Sequence, residues 1–140
     1  MDGFNRLALR YMGCNHQLGD YFSVMVDDVP LLGTVSAFES GFESKIAGAY
    51  MDGINAEFLQ KALFSDPVSL TPFVCNCGDI DCWQLHLTQT CIGDIVTWHG
   101  WNNPHRSIDQ GWDYSGFPVF SFYRADYLKE IGTALEQLQR

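Results

Sequence analysis

Three thiols fall within eight residues at Cys75, Cys77 and Cys82, in the run Cys75-Asn76-Cys77-Gly78-Asp79-Ile80-Asp81-Cys82-Trp83. In an extended segment Cys75 and Cys77 project to one face, where two thiolates could bind one metal ion at about 2.3 Å each. Gly78 permits a turn that returns Cys82 to them, which makes a three-thiolate zinc corner conceivable. A closed site needs a fourth ligand. His86 lies about 13 Å along a strand from Cys82 and cannot share the ion; Cys91 is farther still unless the chain doubles back, so the remote pair Cys14 and His16 are the better candidates and the fourth ligand stays open. The pattern C-x-C-x4-C supplies one irregular knuckle where zinc ribbons and fingers use two C-x2-C knuckles. The competing reading is small buried thiols beside a tight turn, because free cysteine is among the most buried residue types.

The second concentration of chemistry runs through residues 98–117, which hold Trp98, Trp101, Trp112, Tyr114, His99, His105 and Arg106. Trp, Tyr and Arg dominate binding hot spots because they bury large areas at little entropic cost and keep a polar handle. Trp101, Trp112 and Tyr114, with Asp109 and Asp113 beside them, are the candidate contacts for a protein partner. The alternative is that these rings fold inward and cover the sheet. Asp27 and Asp28 are secondary electrostatic candidates, although Asp-Asp before Val-Pro also reads as turn chemistry.

Catalysis finds little support. A cysteine nucleophile needs a histidine base and an orienting group that converge in space, and residue types alone do not show convergence. No Gly-rich phosphate loop, G-x-S-x-G elbow or H-E-x-x-H helix occurs. The expectation is a non-enzymatic protein.

The elements that must position these groups read as one α+β domain, with a mostly antiparallel sheet, an N-terminal hairpin, one short central helix and a C-terminal amphipathic helix. Asp27-Asp28-Val29-Pro30 separates two β-rich runs over residues 21–38, which reads as the hairpin. Residues 39–53 read as an irregular segment packed by Phe42, Ile46 and Tyr50. Ile54, Phe58, Leu59, Ala62 and Leu63 recur at helical spacing until Pro67. Residues 68–75, 83–88 and 94–99 are strand-like, the last alternating Val96 and Trp98 against Ile95, Thr97 and His99. A long surface loop is expected from Gly100 to Gly116, then a strand from Phe117 to Phe122. The stripe Tyr127, Leu128, Ile131, Ala134, Leu135, Leu138 marks the closing helix over 125–139.

Composition limits the partners. Eight Lys and Arg against seventeen Asp and Glu leave a formal charge of −9. That charge opposes the counterion release that drives binding to nucleic acid and to anionic membranes. It suits an electrostatically steered contact with a basic protein. No apolar run approaches the ~20 residues that span a bilayer. Five cysteines cannot all pair, and residues 1–12 have no signal-peptide pattern, so free thiols in the cytoplasm are expected.

Residues 10–14 (Arg-Tyr-Met-Gly-Cys), 20–24 (Asp-Tyr-Phe-Ser-Val), the Cys75 to Trp83 cluster, Val96-Thr97-Trp98 and Phe120-Ser121-Phe122-Tyr123-Arg124 together resemble a family of small bacterial proteins. Its features are a C-x-C-G-x3-C turn after a strand, a V-x-W strand, and an F-x-F strand feeding an amphipathic helix. Small acidic proteins of this kind resemble immunity proteins, which bind a cognate toxin and block it. What the resemblance implies is an antitoxin-type binding protein with no catalytic residues, whose partner is a basic protein toxin.

Overall fold

The computed structural model describes residues 4–16, 18–42, 50–51, 54–75, 84–104 and 113–139. It is an α+β fold with two antiparallel sheets. In the first sheet, β1 (Leu7–Asn15) pairs along β2 (Gly19–Val26), and β2 also pairs with the short strands β3 (Val29–Pro30) and β5 (Ile54–Asn55). Phe22, Val24 and Val26 are buried while their neighbours in β2 are not, the period-2 pattern of a strand with one face on a core.

The expected turn sits at Asp27-Asp28, and both residues adopt positive φ, 54° and 66°. A two-residue hairpin turn that matches the strand twist requires this geometry. The arm beyond it differs from the expectation. After two residues of β3 the chain enters α1 (Leu31–Glu39), so residues 31–38 are helical. The reason is the spacing of the apolar positions. Leu31 and Val35 are four apart and share one buried face with Glu39, which suits a period of 3.6 and not of 2. Pro30, with its fixed φ and no N–H to donate, stands where a helix start tolerates it. The N-terminal hairpin proper is β1–β2.

Within the segment expected to be irregular, Phe42 packs edge-on against Phe38 and Tyr114. Tyr50 lies in β4 (Tyr50–Met51), and Ile46 is outside the described residues. The central helix, α2 (Ala56–Lys61), starts two residues later than its apolar spacing suggests. Asn55 caps it, its Oδ1 accepting from the Phe58 N–H at 3.2 Å.

The second sheet has the order β4-β6-β7-β8-β9, with β6 (Val68–Cys75), β7 (Gln84–Ile92), β8 (Ile95–Asn102) and β9 (Phe120–Tyr123). Val96 and Trp98 are buried, as their alternation against Ile95, Thr97 and His99 implies. The strand does not stop there. Gly100 has φ +65°, and the register slips by one residue between the pairs His86↔Asn102 and Thr88↔His99. That is a bulge with glycine in the left-handed region, and it reverses which parity of residue faces the core. Trp101 is therefore carried inward on the strand and does not begin a surface loop.

The closing helix, α3 (Arg124–Leu138), buries Tyr127, Ile131 and Ala134 on the expected stripe. It spans both sheets: Glu130 Oε2 accepts from the Leu9 N–H of the β1 edge at 2.8 Å. Asn5 adds a second stitch, its N–H donating to the Ser121 carbonyl at 2.7 Å and its Oδ1 accepting from the Ser121 N–H at 2.9 Å. A buried polar knot locks the middle. Gln89, with no exposed surface, donates from Nε2 to the Ala62 carbonyl at 3.0 Å. Its Oε1 accepts from Tyr127 at 2.5 Å and from the Trp98 indole at 3.2 Å. Among the described residues no helix is long and apolar enough to cross a membrane.

Candidate functional site

Two of the three aromatic residues expected to dock a partner, Trp101 and Tyr114, turn out to build the core. Trp101 is 6% exposed, its ring 4.7 Å from Phe117 and 6.4 Å from Trp98. The bulge at Gly100 is what directs it there. Tyr114 is 8% exposed and stacks on Phe38 at 5.7 Å. For both, the inward-facing alternative replaces the expectation of a surface anchor, because a side chain already packed on all sides has no face left for a partner. Asp113 does stand exposed; the Ser115 N–H donates to its Oδ1 at 2.9 Å and holds its carboxyl below the ordinary range. Asp109 and Trp112 lie outside the described residues.

Tyr114 belongs to a polar cluster that sequence reasoning missed. Glu39, fully buried at the last turn of α1, accepts from the hydroxyls of Tyr114 and Tyr50 on the same Oε2, each at 2.5 Å. Asn103 donates to the Tyr50 oxygen at 3.2 Å. Burial first, and then the bond to Glu39, pushes both tyrosines well above their usual range. The cluster ties α1, β4, the end of β8 and the chain before β9 into one unit. A glutamate eight residues after Leu31 was the available signal, and it is readable only once the segment is known to be helical.

The metal reading rested on Cys75, Cys77 and Cys82. Cys75 ends β6 opposite Tyr50, whereas Cys77 and Cys82 lie outside the described residues. Cys14 and His16 are exposed around the β1–β2 turn. Among the described residues no three His, Cys, Asp or Glu side chains converge in a way that could hold a metal ion. His86 sits 2.9 Å from both Thr71 Oγ1 and Gln84 Oε1, and His99 lies 3.4 Å from Thr90 Oγ1.

Asp27 and Asp28 lie on an open cleft of about 420 Å³ at the end of the hairpin. Asp27 fastens the N-terminal segment: Oδ2 accepts from Asn5 Nδ2 at 2.6 Å and Oδ1 from the Arg6 N–H at 2.8 Å. Asp28 pairs with the Arg6 guanidinium in solvent. The same cleft is lined by Asp126, in the first turn of α3, whose carboxylate makes neither a hydrogen bond nor an ion pair among the described residues. Phe4 and Tyr123, packed edge to face at 5.9 Å, line the same space. Three carboxylates and one guanidinium thus line a single cleft beside aromatic rings. An arrangement of this kind suits a lysine or arginine side chain, through charge-assisted hydrogen bonds and ring faces. Asp126 and Phe4 are 122 positions apart in sequence, so no local pattern announces them together.

No family model, no curated protein and no solved structure matches the chain.

Proposed function

We propose that the protein is an immunity or antitoxin-type binding protein of the cytoplasm that neutralises a cognate, basic toxin by direct contact, without catalysis of its own. The observation that carries the reading is the open acidic cleft of Asp27, Asp28 and Asp126, walled by Phe4 and Tyr123, on a chain of net charge −9. Long-range attraction speeds the encounter with a basic domain, and local carboxylates select how it lands. The resemblance carried by residues 10–14, the Cys75 to Trp83 cluster and the F-x-F strand points to the same class of protein.

The test is capture of a partner from the producing bacterium at low and moderate salt, by the wild-type chain and by Asp28→Asn/Asp126→Asn. A basic partner that arrests growth when expressed alone, is silenced by co-expression of the wild-type chain, and binds the variant more weakly supports the proposal. A partner without toxicity, or one held equally by the variant at every salt concentration, refutes it.

A further inference from the structure

Eight large apolar side chains stand exposed among the described residues, and four of them, Leu63, Phe64, Ile92 and Ile95, lie on two segments that touch at one corner, the chain after α2 and the β7–β8 hairpin. Ile92 and Ile95 are directly opposed across the β7–β8 hairpin, and Ile92 is 77% exposed. Phe64, 56% exposed, follows α2 and is held against the hairpin: the Cys91 thiol donates to its carbonyl at 3.6 Å. Arg124 closes the corner from α3, its Nη2 donating to Ser65 Oγ at 3.0 Å and its N–H to the Asp94 carbonyl at 2.7 Å.

This corner is built to stay in place. Gly93 takes φ +59° while Asp94 does not enter the left-handed region, the requirement of a tight hairpin turn with glycine first. Strand pairing on one side and the bonds of Arg124 on the other fix the apolar group before any partner arrives, which lowers the ordering cost of binding. Apolar side chains clustered on a rigid tip mark an interaction surface, whereas scattered ones do not.

The charges beside it define the occupant. Asp94 lies in the turn between Ile92 and Ile95, and Asp66 lies two residues after Phe64; neither makes an ion pair among the described residues. Ile95 is the cross-strand partner of Tyr123, whose ring lines the acidic cleft, so the apolar corner and the cleft adjoin along one strand pair. We infer that Leu63, Phe64, Ile92 and Ile95 form a docking face for a protein segment carrying aliphatic or aromatic side chains flanked by lysine or arginine. The inference rests on the binding reading above and supplies its anchoring half: the cleft orients a basic side chain, and the corner buries the apolar residues beside it.

Three short fluorescent peptides test this by anisotropy: apolar residues flanked by lysines, the same residues flanked by glutamates, and lysines alone. The wild-type chain binds the first at least about ten-fold tighter than the other two, and Phe64→Ser/Ile92→Ser, which changes only exposed side chains, weakens that binding by roughly ten-fold with an unchanged circular dichroism spectrum. Equal binding by wild type and this variant overturns the inference. So does equal binding of the lysine- and glutamate-flanked peptides, or a wild-type dimer in sedimentation that the variant abolishes, which would make a second copy the occupant. If Asp28→Asn/Asp126→Asn loses affinity while Phe64→Ser/Ile92→Ser keeps it, the corner is refuted and the cleft reading stands. If no peptide binds the wild-type chain, both fall.

Discussion

Gln89→Leu puts the buried knot to a quantitative test. Leucine fills nearly the same volume but leaves the Ala62 carbonyl and the Tyr127 hydroxyl without the partners they have at 3.0 Å and 2.5 Å. The Trp98 indole keeps one acceptor, the Tyr127 oxygen at 3.1 Å. Two stranded buried groups at about 1–3 kcal/mol each, less roughly 1 kcal/mol for the added apolar burial, give a net loss of about 3 kcal/mol. For a domain this size that is a sizeable part of a total stability on the order of 10 kcal/mol. With a urea dependence of about 2 kcal/mol per molar, the midpoint followed by tryptophan fluorescence falls by roughly 1.5 M. Tyr127→Phe alone costs less, about 1 kcal/mol, because Gln89 Oε1 and the Trp98 N–H still satisfy each other at 3.2 Å. In the double variant Gln89→Leu/Tyr127→Phe the tyrosine hydroxyl is gone but the Trp98 N–H loses both acceptors, so two buried groups again stand unpaired and the loss stays near the roughly 3 kcal/mol of Gln89→Leu alone, below the sum of the singles. A Gln89→Leu midpoint within about 0.3 M of wild type, or strict additivity in the cycle, would refute the claim that the knot holds β7, β8, α2 and α3 together.

Trp101→Ala should destabilise the isolated protein by about 3–5 kcal/mol, since the ring packs on Phe117, Phe120 and Trp98; a wild-type urea midpoint would return it to the surface. Asp28→Gly should stabilise by about 1 kcal/mol, because φ 66° strains any residue with a Cβ and the exposed pairing with Arg6 contributes little; an unchanged or lower melting temperature would argue against this account of the turn. Burial raises Tyr50, Tyr114 and Tyr127 in the folded state, so the unfolded chain releases those protons first as pH rises. Stability from the neutral hydroxyls is complete below about pH 10 and declines above it, by roughly 1.4 kcal/mol per pH unit for each tyrosine. A urea midpoint that holds steady between about pH 9 and 11 contradicts this.

Where one short period ran without interruption, the residues alone determined the element. The stripe from Tyr127 to Leu138 specifies α3, and Val96 and Trp98 specify the inner face of β8, because both patterns extend over enough residues for only one geometry to bury them. The α+β class follows from such segments taken together. The turn at Asp27-Asp28 was equally local. Residues 31–38 were not: Thr34-Val35 carry β propensity and Gly33 disfavours a helix interior, and only a core that accepts Leu31, Val35 and Glu39 at once makes them a helix. Trp101 shows the limit most sharply. A single glycine in the left-handed region reverses the inward and outward parity of a strand, so a tryptophan read as a surface anchor becomes a core ring. The acidic cleft and the apolar corner depend on tertiary structure altogether. Asp27 and Asp126 line one cleft because α3 packs against the first sheet, and the Phe64 carbonyl meets the Cys91 thiol, both across long stretches of chain. Local periodicity records which face of an element is buried, whereas a binding surface is made by the faces that packing leaves exposed side by side.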